Sequence, residues 1–445
     1  MTKDLTQGKP GRVLFCFALP VIGGNLFQLF YTLADSVIVG RMMGADALAA
    51  VGSTGTVIYL VLCFIQGMAG VFGICLGQRF GAGDQAGMRR SVMISWGLTL
   101  LFSVAITLPC CLLARPILGW MQTPPSITHA AYDYLWVIFA GTGATFFYNV
   151  ISNMLRALGD SRTPLLFLVA SSLGNIGLDI LLIGPMGVAG AAWATVLSQL
   201  LSGVLCAAVG MKRYPVLRLS RLPRRDWLRE AAAHLRVGFP MGFQMSVMCI
   251  GQLAMQAAVN ALGPDAVAGY TAATKADQFS VLVNGAFGIA VANYAAQNYG
   301  AGRYRRIRQG VVAALAQIEC ANLLMAVLML LGRRMIMSLF IDSATDAVVD
   351  YAAGYVQAVA PFYLLLGLLQ VYRSAEQSMG DSRTPFAACV IELVMRLCAT
   401  AGLARVLGYT GVCLASPLAW VGAIALLIPV YYRRIGPLQR QEAAA

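Results

Sequence analysis

The chain has 445 residues, of which 59% are hydrophobic and 11% charged. An average soluble domain carries about 25% charged residues, so this composition cannot cover a water-exposed surface; it excludes an ordinary cytosolic enzyme and a disordered nucleic-acid-binding tail. The 32 Lys and Arg against 19 Asp and Glu leave a net charge of +13, which in so apolar a chain points to the orientation bias of a membrane protein.

Residues 1–12 are polar and short, without a cleavable signal pattern. Taking about 20 mostly apolar residues per crossing, twelve spans follow in chain order: 13–39, 47–78, 91–114, 130–155, 164–184, 187–210, 236–261, 266–296, 309–332, 351–372, 385–407 and 411–432. Several exceed the minimum, so tilt or kinking is expected. The strict alternation of β-barrel strands is absent. The expected fold is an all-α polytopic membrane protein. The eleven Cys form no CxxC pair and sit mostly in apolar runs, so they read as packing residues rather than a disulfide framework or a zinc site.

Loop charges orient the spans. With the N-terminus inside, 25 of the 32 basic residues fall on inner segments, from Lys3, Lys9 and Arg12 to Arg433, Arg434 and Arg440. Five fall outside: Arg41, Arg115, Arg333, Arg334 and Arg405. This bias places both termini in the cytoplasm of a plasma-membrane protein and accounts for the net charge with no nucleic-acid partner. The longest inner segment, 212–236, reads as an amphipathic connector. Its part from Arg224 to Arg236 is expected to lie on the inner leaflet with Trp227 as anchor.

The sequence repeats at offsets of about 220. GDSRTP occurs at Gly159–Pro164 and at Gly380–Pro385; QRFGAG (Gln78–Gly83) returns as QNYGAG (Gln297–Gly302); GADALAAVG (Gly44–Gly52) returns as GPDAVAGYT (Gly263–Thr271); Pro20 is matched by Pro240. The chain is thus read as two homologous six-span halves, 1–211 and 237–445, joined by 212–236. An even number of spans gives both halves the same sidedness. They form two parallel six-helix bundles, related by a pseudo-twofold along the membrane normal, with substrate expected between them as they rock.

Ionisable residues at membrane depth cost several kcal/mol and are functional candidates by default. At a rise of about 1.5 Å per residue, Asp35 in span one, Asn175 and Asp179 in span five and Thr195 in span six gather at one level. No Lys or Arg shares their spans. Such acids must be protonated or hold a cation, and hard oxygen donors suit H⁺ or Na⁺ rather than a transition metal. The second half carries Lys275, Asp277, Glu319, Glu392 and Arg396 near mid-depth. With Glu392 and Arg396 four apart, this set reads as a charge network that neutralises itself. At the repeat offset of 221, Asn175 corresponds to Arg396 and Asp179 to Thr400. Glu376, near the inner end of span ten, is free to face the cytoplasm.

QLFYTLADSVIVG (Gln28–Gly40), LRALGDSRTP (Leu155–Pro164), GVAGAAWAT (Gly187–Thr195) and QNYGAG resemble the multidrug and toxic compound extrusion (MATE) family along the whole chain. The likeness is to the prokaryotic branch with its cation site in the first lobe. That resemblance implies an H⁺ or Na⁺ antiporter for amphipathic, drug-like organic cations, monomeric and without a cofactor. It implies a cation site at Asp35, Asn175, Asp179 and Thr195, and a bending proline at Pro20. Another branch has acids in spans seven and ten; span seven here offers only Gln244, Gln252 and Gln256, and Glu376 is the one candidate match in span ten. A lipid-linked sugar flippase of the same superfamily is the nearer alternative, though it wants a more cationic cleft. An intramembrane enzyme is more remote, since the chain has two His and no HExxH. No Lys is followed by Ser or Thr, which removes a P-loop ATPase.

Overall fold

The computed structural model describes residues 4–219, 224–338 and 346–444, without the side chains of 36, 45, 224, 225 and 333–338. Lys3 and Arg221, and the side chains of Arg224, Arg225, Arg333 and Arg334, all part of the charge bias, lie outside this description. No strand occurs among the described residues.

The helices are α1 (Pro10–Met43), α2 (Ala45–Gly81), α3 (Gln85–Trp120), α4 (Pro125–Ala140), α5 (Thr142–Ala157), α6 (Arg162–Met186), α7 (Val188–Arg213), α8 (Arg224–Asn260), α9 (Pro264–Gly300), α10 (Tyr304–Ser338), α11 (Asp346–Val359), α12 (Tyr363–Ser378), α13 (Arg383–Leu407) and α14 (Tyr409–Ala444). Among the described residues, eleven helical segments are long and apolar enough to cross a membrane, and the pair α4–α5, bent by 41°, makes the twelfth. Long helices follow from the solvent: in lipid every backbone N–H and C=O must be satisfied within the segment. Leucines such as Leu100, Leu112 and Leu331 remain at least 70% exposed, as side chains facing hydrocarbon should.

The expected span 130–155 is broken at Gly141. A Cβ there would fall 2.1 Å from Val196, so the break is where α7 presses into the backbone. The expected surface helix at 224–236 also differs. Nothing interrupts the helix after Arg224, and α8 runs unbroken through Pro240 to Asn260. Trp227 packs on the core around Phe72, Leu98 and Phe146 rather than lying on a leaflet. One turn on, Glu230 pairs with Arg79. Another turn on, His234 Nδ1 donates to the Glu230 carbonyl at 2.8 Å, and its Nε2 shares a hydrogen bond with the Ser91 hydroxyl at 2.9 Å. These residues share one helical face, and protein claims that face.

The chain divides into two compact units, one holding Pro20–Gly242 and the other Leu5–Leu19 with Phe243–Ala445. The repeated motifs perform the same local work in each. In the first, Gly159 (φ 84°) ends α5 and Asp160 starts α6, accepting the Arg162 and Thr163 N–H groups at 3.2 and 3.0 Å. In the second, Gly380 (φ 85°) and Asp381 do likewise for Arg383 and Thr384 at 3.0 and 3.1 Å. Left-handed φ admits glycine at little cost, which explains its place at these helix ends. The tips of QRFGAG and QNYGAG share φ 69° at Gly83 and Gly302. In the second unit Gln297 of that motif accepts the Leu5 N–H at 2.9 Å, while Arg303, just past it, donates to the Thr6 carbonyl at 2.6 Å.

Helix pairs in a membrane associate through small residues that let backbones meet. A Cβ on Gly190 would fall 2.3 Å from the Leu182 carbonyl oxygen, and one on Gly411 would fall 2.2 Å from that of Leu403. These glycines pinch the hairpins α6–α7 and α13–α14. The first hairpin carries three of the four expected cation-site residues.

Candidate functional site: a polar recess in the first unit

Asp35 projects from α1, Asn175 and Asp179 from one face of α6, and Thr195 from α7. The pinch at Gly190 holds α7 against α6, so Thr195 and Asn175 line the same recess. Tyr31, Ser171, Ser172, Ser198 and Gln199 complete its polar wall, with Leu168 the apolar member. Its free volume is about 10 Å³, on the scale of one water or one small cation. Ser171 donates to the Ser198 carbonyl at 2.5 Å and Ser172 to the Leu168 carbonyl at 2.8 Å, which ties α6 to α7 and fixes one hydroxyl of the wall.

Asp179 is fully buried and Asn175 nearly so. Both carboxylate oxygens of Asp179, both amide atoms of Asn175, and Oδ1 of Asp35 are buried without a conventional partner. The Asp35 and Asp179 carboxyls lie within hydrogen-bonding reach of each other. Two carboxylates cannot share such a contact unless a proton or a cation lies between them, since both offer only acceptors. The Tyr134 side chain, from α4, is in electrostatic range of both acids. The donor set is therefore carboxylate, amide and hydroxyl oxygen, which fits H⁺ or Na⁺ and no soft metal. No cluster of three His, Cys, Asp or Glu that could hold a metal occurs among the described residues.

Sequence reasoning missed Tyr31, Ser171, Ser172, Ser198, Gln199 and Tyr134. Most were within its reach: Tyr31 is four residues before Asp35, Ser171 four before Asn175, and Gln199 four after Thr195, the same helix faces one turn inward. Pro20 lies inside α1, which continues through it to Met43.

The second unit does not hold the expected self-neutralising network. Glu392 pairs with Arg373, not with Arg396. Arg373, one residue past the expected end of the span 351–372 and so counted among the inner basic residues, is buried in α12, because that helix continues to Ser378. Lys275 is exposed and forms no ion pair among the described residues. Asp277 accepts the Tyr355 hydroxyl at 3.1 Å. Glu319 sits against Gly367, where a Cβ would fall 2.5 Å from Oε1, and its two oxygens are buried without a conventional partner. Nearby, Asn284 and Asn322 exchange amide hydrogen bonds at 2.8 and 3.2 Å. Glu376 is fully buried rather than facing water. The five residues thus occupy separate settings: Asp277 is met by a tyrosine and Glu392 by an arginine from neighbouring helices, while the Glu319 oxygens have no conventional partner.

The MatE family model matches residues 20–181 and 240–400. The chain is 32% identical to "Probable multidrug resistance protein YpnP" of Bacillus subtilis (strain 168) over 437 residues, 97% of this chain and 96% of that protein. It is 22% identical to a "FAD transporter" of Shewanella oneidensis (strain MR-1), covering 92% of this chain and 91% of that one. Among solved structures, "MATE in the bent conformation" superposes with a TM-score of 0.91 at 23% identity, covering all of both chains.

Proposed function

The chain belongs to the MatE family of multidrug and toxic compound extrusion transporters, and from that premise we propose that it is an H⁺- or Na⁺-coupled antiporter exporting amphipathic organic compounds by alternating access. Its multi-pass architecture and its family make it a membrane transporter rather than an enzyme. The observation that carries the coupling assignment is the set of buried, unpartnered oxygens on Asp35, Asn175 and Asp179; Asn175 lines the recess, and the two acids are not among its lining residues. A polar atom left unpartnered in a low-dielectric interior costs about 1–3 kcal/mol, which a bound cation or proton recovers.

In this scheme Asp35 and Asp179 hold the coupling ion, and Asn175 and Thr195 supply neutral donors. Loading removes the repulsion between two acids that lie side by side. α1 is then free to bend at Pro20, whose missing N–H leaves the Cys16 carbonyl without its helical partner. The halves 1–211 and 237–445, joined by 212–236, are the moving bodies. Both termini face the cytoplasm in the plasma membrane, a reading supported by the split of basic residues, 24 to 5 once the buried Arg373 is taken from the 25 inner ones. The protein works as a monomer with no cofactor.

Purified protein in liposomes, with pH and Na⁺ gradients imposed separately, tests the reading. Fluorescent organic cations should move against their own gradient under one of the two. If neither gradient moves any of them, the antiport reading fails and the flippase takes its place.

A further inference from the structure

The second unit contains a buried cation with no anion. Arg396 is 6% exposed and lies at the middle of α13. It forms no hydrogen bond and no ion pair with any described residue, and its Nε is buried. The one acid on its own helix, Glu392, is taken by Arg373. Asp277 is engaged by Tyr355 at 3.1 Å and makes no ion pair with Arg396. Two guanidiniums and one carboxylate therefore leave one positive charge uncompensated at membrane depth, a condition proteins retain for a purpose. One turn beyond, the Thr400 hydroxyl is also buried without a partner. On the facing helix α8 the residue opposite the guanidinium is Gly251, where a Cβ would fall 2.7 Å from Nη1. The bare backbone there leaves the guanidinium its room.

These positions have counterparts. At the repeat offset of 221, Arg396 occupies the place of Asn175 and Thr400 that of Asp179. The same pair of helical positions carries a cation-seeking amide and carboxylate in one half, and a guanidinium and a hydroxyl in the other. The first set offers acceptors for a cation. The second offers a positive charge with its N–H donors and a hydroxyl that can also donate, and a planar guanidinium with an adjacent hydroxyl is complementary to an oxyanion.

We propose that Arg396 and Thr400 form a subsite for the carboxylate or phosphate group of the exported molecule, so that the preferred substrates are zwitterionic or anionic amphipaths rather than simple cations. The assignment builds on the export reading and specifies its substrate class. Arg373 is held by Glu392 and keeps that acid away from Arg396, so it is a positioning residue.

The test is equilibrium binding to the full-length protein in detergent micelles, with a rhodamine bearing a free carboxylate and with its ethyl ester. The two dyes share size and ring charge and differ in the oxyanion. The wild type should bind the carboxylate more tightly, and Arg396→Gln should weaken that dye by about tenfold or more, the scale of one lost charge-assisted hydrogen bond, while leaving the ester unchanged. Arg396→Lys should retain part of the preference and Thr400→Val should reduce it, which keeps the test open if Arg396→Gln misfolds. Equal binding of the two dyes, no binding of the carboxylate, or equal losses for both in the variants overturns the proposal. Competition by phosphatidylglycerol without selectivity between the dyes places a lipid headgroup there and overturns it as well. Export itself is read by gradient-driven movement of the ester in vesicles, so either reading can fail alone.

Discussion

Arg373 of α12 pairs with Glu392 of α13 while Arg396, one turn along the same helix, has no acid. The pair is buried on both sides, at 5% and 3% side-chain exposure. Breaking a buried pair by removing one partner leaves the other charge stranded and typically costs about 3–5 kcal/mol, whereas replacing both with apolar residues of similar volume is often neutral. Glu392→Gln should therefore lower the unfolding temperature of the detergent-solubilised protein markedly, and Arg373→Met with Glu392→Leu should restore most of the loss. A double variant as unstable as the single one would mean that the pair is not the source of the effect.

The group that meets Asp179 is the Asp35 carboxyl, and an amide at position 179 can donate to it, so this replacement should spare the fold. Asp179→Asn keeps the shape and removes the titratable oxygen proposed to bind the cation. Gradient-driven efflux of fluorescent cations should fall to background while expression and gel-filtration profile stay those of the wild type. Asp35→Asn should do the same. Retained efflux in either variant removes that acid from the coupling site.

Asp160 stitches the start of α6 to the end of α7. Besides the two backbone N–H groups, it accepts the Thr163 hydroxyl at 2.7 Å and Arg213 and the Tyr214 hydroxyl at 3.1 Å each. Its repeat counterpart Asp381 has the same cap, with Thr384 at 2.8 Å and Arg434 at 3.2 Å, but no tyrosine and more exposure. Loss of a helix cap costs about 1 kcal/mol and each further bond to a charged group about 1.5–3 kcal/mol. Asp160→Ala should destabilise more than Asp381→Ala in parallel thermal melts, and equal shifts would contradict the difference in environment.

Much of this architecture could be read from residues alone. Lipid imposes a length and an apolarity on every crossing, and a duplicated hexapeptide fixes the register of the halves, so twelve spans and the repeat were legible. The first-half acids stood out in the sequence because two carboxyls without a base in their spans are conspicuous by their cost, and the structure buries their oxygens without conventional partners. The misreadings share one cause: the deciding contact comes from a distant helix. Gly141 breaks its span because Val196 presses on it. Glu392 ignores Arg396, four residues away, because Arg373 arrives from α12. Trp227 leaves the leaflet because α8 docks through Glu230 on Arg79. Helical periodicity reports one helix's faces and is silent on which neighbour meets them.

The pinch glycines separate stability from coupling. Gly190 and Gly411 are repeat equivalents, each meeting a carbonyl oxygen at 2.3 or 2.2 Å from where a Cβ would lie. Overpacking of this kind typically costs about 1–3 kcal/mol, and backbone cannot swing aside as a side chain can. Gly190→Ala and Gly411→Ala should therefore destabilise by similar amounts. Their functional consequences should diverge. Leu182, the residue pushed by Gly190→Ala, lies three positions after Asp179, and Gly190 lies five before Thr195. Splaying α6 from α7 there widens the gap between Asn175 and Thr195 and loosens the recess proposed to hold the ion. At the other hairpin the displaced residue is Leu403, three positions after Thr400, where no acid waits for a cation. Gly190→Ala should raise the H⁺ or Na⁺ concentration needed for half-maximal efflux, and Gly411→Ala should leave that concentration unchanged. Equal shifts in both variants would show that coupling follows overall stability and not the geometry of the α6–α7 recess.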